Sequence, residues 1–192
     1  MIGILLAAGF SRRFGAADKL LQPLSDGRLI SIASAENLIQ AIPTCVAVVR
    51  AENKVLTEKL ISRGFKLAFC DENKPEMADS LATAIRFSAN FEAADNGFVI
   101  VLADMPYIQP ATISAVANKL VNSTSIVIPT YQGQRGHPVG FSAKFRNELE
   151  NLRGDEGARS ITKRYPDEVE LLQCNDAGIL ADIDTQADLK IR

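Results

Sequence analysis

The chain has 192 residues, 47% of them hydrophobic and 23% charged, which suits one soluble α/β domain with a full core and leaves little room for two. A formal net charge of -2 argues against a general nucleic-acid binder, because phosphate-tracking proteins carry a basic excess. Cys45, Cys70 and Cys174 form no Cys-x-x-Cys pair and no apolar run approaches the ~20 residues of a membrane span, so a reduced cytoplasmic setting without membrane contact is the expectation.

The first element is an apolar run of strand length, Ile2 to Leu6, which breaks at Ala7-Ala8-Gly9 into a loop of small and basic residues ending at Lys19-Leu20-Leu21. Residues without bulky side chains let backbone N–H groups approach phosphate oxygens, and Arg12, Arg13 and Lys19 offset the charge of a triphosphate with only Asp18 opposing them. An ordinary βα turn with solvated basic residues is the alternative. A helix from Leu29 to Ile42 precedes a strand at Cys45 to Val49, and one from Asn53 to Gly64 precedes a strand at Leu67 to Cys70. Leu81, Ala84, Ile85 and Ser88 share a helical face, Gly97 closes a turn, and Phe98 to Leu102 is apolar throughout, as a central parallel strand should be. Ile113, Val116, Ala117 and Leu120 repeat at helical spacing before the β-branched run Ile126 to Ile128, and Thr130 to Gly140 reads as a loop or hairpin over the sheet. Such alternation predicts a three-layer α/β/α sandwich around a mostly parallel central sheet.

In sheets of this kind ligands sit beyond the carboxyl ends of the strands, and two such places carry acids. Asp104 follows the buried run in Ala103-Asp104-Met105-Pro106, where its carboxylate would face the crevice and could hold Mg²⁺; a turn-forming Asp is the alternative. Asp182-Ile183-Asp184-Thr185 precedes a short helix expected from about Gln186, so Asp184 or Thr185 could equally be an N-cap, with Asp188 in the first turn. Competing motifs are missing: there is no Gly-x-x-x-x-Gly-Lys-Ser/Thr, no Gly-x-Gly-x-x-Gly and no Gly-x-Ser-x-Gly, and the single histidine, His137, excludes a histidine-rich metal site.

Leu6-Ala7-Ala8-Gly9-Phe10-Ser11-Arg12-Arg13-Phe14-Gly15 with Lys19-Leu20-Leu21 resembles the signature of the MobA-like nucleotidyltransferases, in the molybdenum cofactor cytidylyltransferase branch. Ser80-Leu81, Leu102-Ala103-Asp104-Met105-Pro106, Arg135-Gly136-His137-Pro138-Val139, Gly154-Asp155-Glu156-Gly157-Ala158-Arg159 and Asp182-Ile183-Asp184-Thr185 with Asp188-Leu189 agree with it in order. The resemblance spans almost the whole chain. It implies a single Rossmann-like domain over residues 1–192, of the nucleotide-diphospho-sugar transferase type, that moves a nucleoside monophosphate onto the terminal phosphate of molybdopterin and releases pyrophosphate.

Carried onto this sequence, the resemblance implies nucleotide contacts from Leu6, Ala7, Ala8, Gly9 and Ser80, with Arg13 and Lys19 on the triphosphate as catalytic groups. Asp104, also catalytic, and Asp184 would hold Mg²⁺, and Arg135, His137, Asp155 and Arg159 would grip the acceptor. A hydrogen-bonded loop histidine and a surface helical arginine are the alternatives for His137 and Arg159. Ala8 stands where the guanylyl branch usually has the first Gly of Leu-Ala-Gly-Gly, which favours CTP over GTP, whereas Glu76 before Met77 replaces a frequent Gly and puts a carboxylate near the base or ribose. GTP use, or a sugar or alcohol phosphate acceptor, remains an alternative within the same machinery. A non-catalytic protein that binds nucleotide or molybdopterin and delivers it is a third reading. A transient contact with a molybdoenzyme or its chaperone would accompany either use of molybdopterin.

Overall fold

The computed structural model describes residues 1–9, 14, 18–70, 76–121, 125–154 and 157–190. Ile2–Leu6 forms β1 in the middle of an eight-stranded sheet. Cys45–Val49 (β2) and Phe98–Leu102 (β4) flank it in parallel, and Lys66–Phe69 (β3) runs parallel to β2 at one edge. Beyond β4 the order continues through Val139–Phe141 (β7), which is antiparallel, to Ile126–Tyr131 (β5). Gln134–Arg135 (β6) pairs antiparallel with the far end of β5, and Val169–Gln173 (β8) runs parallel to β5.

Strand alternation divides the core. Leu5, Ala47, Val49, Val99, Val101 and Val127 point to one face, where Ile30–Ala41 (α1), Lys54–Ile61 (α2) and Pro110–Val121 (α4) cover them with Leu38, Leu56, Leu60, Ile113, Val116 and Leu120. Ile2, Ile4, Val46, Val48, Phe98 and Ile100 point to the other, against Met77–Ser88 (α3), Arg146–Glu150 (α5) and Arg159–Arg164 (α6). The three layers and the mostly parallel sheet expected from the sequence are both present. In α3 the expected face, Leu81, Ala84, Ile85 and Ser88, is buried throughout.

Of the two forms expected for Thr130 to Gly140, the chain takes the hairpin and then adds a strand. Gln132 and Gly133, at φ 49° and 80°, make a two-residue turn of the hairpin-favouring hand that returns the chain along β5. After Gly136-His137-Pro138 the chain enters the sheet as β7, where Phe141 is fully buried. Three residues of strand are too few to show an alternation, and β8 alternates between half-burial and exposure at an edge, so neither was visible as a strand in the sequence. Among the described residues no helix is long and apolar enough to cross a membrane.

Candidate active site

β1 and β4 are neighbours in register, Leu6 opposite Leu102, so the segments that leave them emerge side by side at the carboxyl edge of the sheet. Ala7 N–H donates to Val48 O and Ala103 N–H to Leu6 O, which extends the pairing one residue beyond the strands. The helices that follow β1 and β3 lie on opposite faces, so a crevice opens at the point where the connections change sides. Ala7 and Ala8 are buried at its floor, Leu6 is half-buried, and Gly9 is exposed with open space where a side chain would stand.

Three groups far apart in sequence meet there. Lys19 begins a single 3₁₀ turn, Lys19–Leu21, capped by the Asp18 carboxylate, which accepts from Leu20 N–H. Leu20 is buried and its carbonyl takes the Ser31 hydroxyl of α1 at 2.6 Å, which fixes the turn against the core. From it the Lys19 ammonium reaches Asp104 Oδ2 at 2.7 Å and Asp184 Oδ1 at 3.3 Å. The lysine side chain is 8% exposed, the two aspartates 24% and 28%, so the acids keep a face to solvent while the cation is enclosed.

Each acid is held by its own segment. Asp104 sits in the loop after β4, where Ser34 donates to Ala103 O and Asn37 donates to both Pro106 O and Ile108 O from α1. Asp184 follows Ile183, which is buried with Phe14, Leu24, Ile30 and Ala33 and whose N–H donates to Asp104 O at 3.0 Å. That bond splices the two acid-bearing segments together. The expected capping role passes to Asp188, whose Oδ2 accepts from Thr185 N–H at 2.7 Å, from the Thr185 hydroxyl and from Asp184 N–H. Those hydrogen bonds, led by the two from Thr185, hold the Asp188 carboxyl below the usual carboxylate range. In place of the helix expected from Gln186 there is one 3₁₀ turn, Asp188–Lys190.

His137 forms the neighbouring wall. Its backbone N–H donates to Ile179 O, and the 177–180 turn is pressed so closely on the loop after β4 that only glycine fits at Gly178, whose Cβ would lie 2.0 Å from Tyr107 O. Burial lowers the imidazole pKa against the opposing pull of Asp104 and Asp182, and Nδ1 finds no hydrogen-bond partner among the described residues.

Lys19, Asp104 and Asp184 are therefore brought together beside Leu6–Gly9, with His137 next to them. Ser80 lies buried in the first turn of α3. Arg135 is exposed on β6 and Arg159 is exposed at the start of α6; among the described residues neither pairs with the two acids. The loop before α6 packs on the start of α3, where Ala78 N–H donates to Gly154 O, so Arg159 approaches from the α3 side. Arg13 and Asp155 lie outside the described residues. Sequence reasoning missed Ser34, Asn37 and Asn53, whose amide donates to Asp18 Oδ2 at 2.7 Å across 35 residues. The only local signal was the N-cap position of Asn53.

Two carboxylates are a sparse donor set. Among the described residues no group of three or more His, Cys, Asp or Glu side chains is disposed to hold a metal. Yet both acids already contact one cationic group, the Lys19 ammonium, and both offer hard oxygen donors. This fits a divalent ion such as Mg²⁺, which uses one or two carboxylates and completes its shell with water and substrate phosphates.

Residues 3–169 match the MobA-like NTP transferase domain. The chain is 28% identical over 193 residues to purine catabolism protein PucB of Bacillus subtilis, with 96% of this chain and 92% of PucB covered. It is 25% identical over 198 residues to nicotine blue oxidoreductase of Paenarthrobacter nicotinovorans, covering 95% and 91%. The crystal structure of Rv0371c from Mycobacterium tuberculosis superposes with a TM-score of 0.81 at 26% identity, covering 99% of this chain and 96% of that one. A manganese complex of the same protein superposes with a TM-score of 0.78 at 24% identity, covering 98% and 95%.

Proposed function

The chain belongs to the MobA-like NTP transferase family and is by that membership a nucleotidyltransferase, and from that premise we propose that it moves CMP from CTP to the terminal phosphate of molybdopterin. Pyrophosphate is the second product, and residues 1–192 act as one catalytic unit. The observation that carries the reading is the meeting of Lys19, Asp104 and Asp184 at the carboxyl ends of β1 and β4. Ala8 at the crevice floor supports CTP over GTP, in keeping with the Leu-Ala-Ala-Gly opening.

Asp104 and Asp184 would hold the divalent cation, for which the manganese complex of Rv0371c is a precedent of class and Mg²⁺ is the ion proposed here. When bound, that ion neutralises phosphate charge and orients the triphosphate. Backbone groups of Leu6 to Gly9 seat the nucleotide, and the open space at Gly9 leaves room for it. Lys19 and Arg13 bind the triphosphate and offset charge as the α-phosphate is attacked. An acceptor phosphate oxygen forms the new P–O bond in line with the bond that breaks to pyrophosphate. A phosphate monoester with its second pKa at about 6 is already ionised, so no side-chain nucleophile or base is required. His137, within electrostatic reach of Asp104, is one of the proposed acceptor contacts; Arg135, Asp155 and Arg159 complete the proposed set. The expected accessory contact is a transient one with the molybdoenzyme that receives the product or with its chaperone.

The test is pyrophosphate release with Mg²⁺ and each NTP, with and without molybdopterin. Release that requires both CTP and molybdopterin is the expected result. Release with GTP or with a sugar phosphate instead reassigns base or acceptor, and tight nucleotide binding without release leaves a delivery protein.

A further inference from the structure

We propose that Asn53 is a positioning residue for Lys19, acting by holding the Asp18 carboxylate out of the phosphate seat; the inference rests on the triphosphate role proposed for Lys19.

Asp18 is the only acid between Gly9 and Gln22, immediately before the lysine whose ammonium the site uses. Left loose, a carboxylate there would compete for that ammonium and repel a triphosphate. Both of its oxygens are instead engaged elsewhere. Oδ1 accepts from Leu20 N–H at 3.0 Å, and Oδ2 accepts from Asn53 Nδ2 at 2.7 Å. Its backbone carbonyl is held as well, by Gln22 Nε2 at 2.9 Å. The carboxylate is thus tied to the start of α2, while the Lys19 side chain runs to Asp104 and Asp184. Asn53 can do this because its amide has two ends. Oδ1 caps α2 by accepting from Leu56 N–H at 3.2 Å, which orients Nδ2 toward Asp18. Serine at this position would keep the cap but could not reach Asp18. Aspartate would keep the cap and push Asp18 away.

The chemistry matters more than the packing. Asn53 joins the start of α2 to the Lys19 turn with a neutral donor, so Asp18 retains the negative charge that caps the turn without exporting it to the crevice. The link is also the only described hydrogen bond between α2's N-cap and the site, so it separates cleanly from the cap itself.

The experiment compares the wild-type chain with Asn53→Ser, Asn53→Asp and the double variant Asn53→Ser/Asp18→Asn, all free of ligand. Acylation of Lys19 by a water-soluble amine reagent is followed by peptide mass spectrometry and normalised to Lys59, and CTP affinity is measured by equilibrium dialysis with Mg²⁺. Loss of a hydrogen bond to a charged group corresponds to about tenfold in an equilibrium constant. Asn53→Ser is therefore expected to lower Lys19 acylation, because the released Asp18 carboxylate pairs with the ammonium, and to weaken CTP binding, by about tenfold each, with the thermal midpoint little changed because the cap survives. Asn53→Asp is expected to exceed both effects and stands in if the serine variant does not fold. The double variant is expected to recover CTP affinity, since the charge to be restrained is gone. Unchanged Lys19 acylation in both single variants overturns the proposal, as does CTP affinity that Asp18→Asn fails to restore. Absence of CTP binding by the wild-type chain counts against the nucleotide reading, while the acylation result still decides whether Asn53 positions Lys19.

Discussion

The ammonium of Lys19 lies 2.7 Å from Asp104 Oδ2, a contact between residues 85 positions apart that also takes in Asp184 at 3.3 Å. The lysine is nearly enclosed and the acids are not, so the cationic member is the one held in place. A divalent ion using both carboxylates would therefore contend with this ammonium, and Lys19 would be freed for phosphate when the acids acquire another counter-charge.

Lys19→Met tests that competition. Removing the ammonium should raise the affinity for Mn²⁺ alone by about tenfold, the equivalent of 1.4 kcal/mol, and weaken CTP binding. Electron paramagnetic resonance of free Mn²⁺ reads the first effect and equilibrium dialysis the second. A variant that binds Mn²⁺ no better than wild type removes the competition.

Asp104→Asn should lower Mg²⁺-dependent pyrophosphate release by at least about 10²-fold, the scale seen when a group that stabilises developing charge is removed. The thermal midpoint should hold, since the Ile183 N–H bond is to the backbone carbonyl of Asp104. Turnover at the normal rate would take Asp104 out of the centre.

Asp184 and Asp188 separate ligation from capping. Asp184→Asn should change the Mg²⁺ dependence with little loss of melting temperature, and Asp188→Ala should lower melting temperature because the Asp184 and Thr185 amides lose their acceptor. The Asp188 carboxyl is held below its ordinary value by hydrogen bonds from Thr185 and Asp184, so its stabilisation is present above the unfolded carboxylate pKa. It is lost as pH falls through the lower, folded value. The Asp188→Ala melting deficit should accordingly shrink in acid, as scanning calorimetry at stepped pH would report.

His137 has a dependence of the same sign from a different cause. Burial holds its pKa below 6.5 in the folded chain, so the unfolded chain binds more protons between the folded value and 6.5. Stability should therefore decline as pH drops through that window, and His137→Gln should flatten the decline. Urea midpoints measured on either side of pH 6.5 provide the comparison.

Cys45 lies against Ile42 O at 3.0 Å, and burial pushes its thiol up to about 12. At pH 8 in the folded protein it should resist thiol reagents that titrate it fully in denaturant. Peptide mapping of the labelled chain identifies the protected position.

The sheet was legible where side chains alternate or run apolar over five residues: the expected limits of the Cys45 and Phe98 strands are those observed. It was not legible at β7, where pairing with β4 and β5 is settled by the hairpin before it. In the site, Asp104 could be singled out because it follows an apolar run that must be buried, whereas spacing alone left Asp184 between a ligand and an N-cap, and only the family resemblance joined the two. The contacts that hold the Asp104 loop, Ser34 to Ala103 O and Asn37 to Pro106 O, cross 69 residues and depend on how α1 lies over β4. Asp188 was read as a partner of a helix dipole, whereas the chain uses it to gather two amides beside Asp184.

Joining Ile183 N–H to the Asp104 carbonyl has a further consequence, for synthesis. A nascent chain that has emerged through β4 still lacks its second acid until the Ile183 segment follows. Under the role proposed for Asp184, a product truncated before Ile183 would lack one of the two acids and should be silent rather than poorly selective.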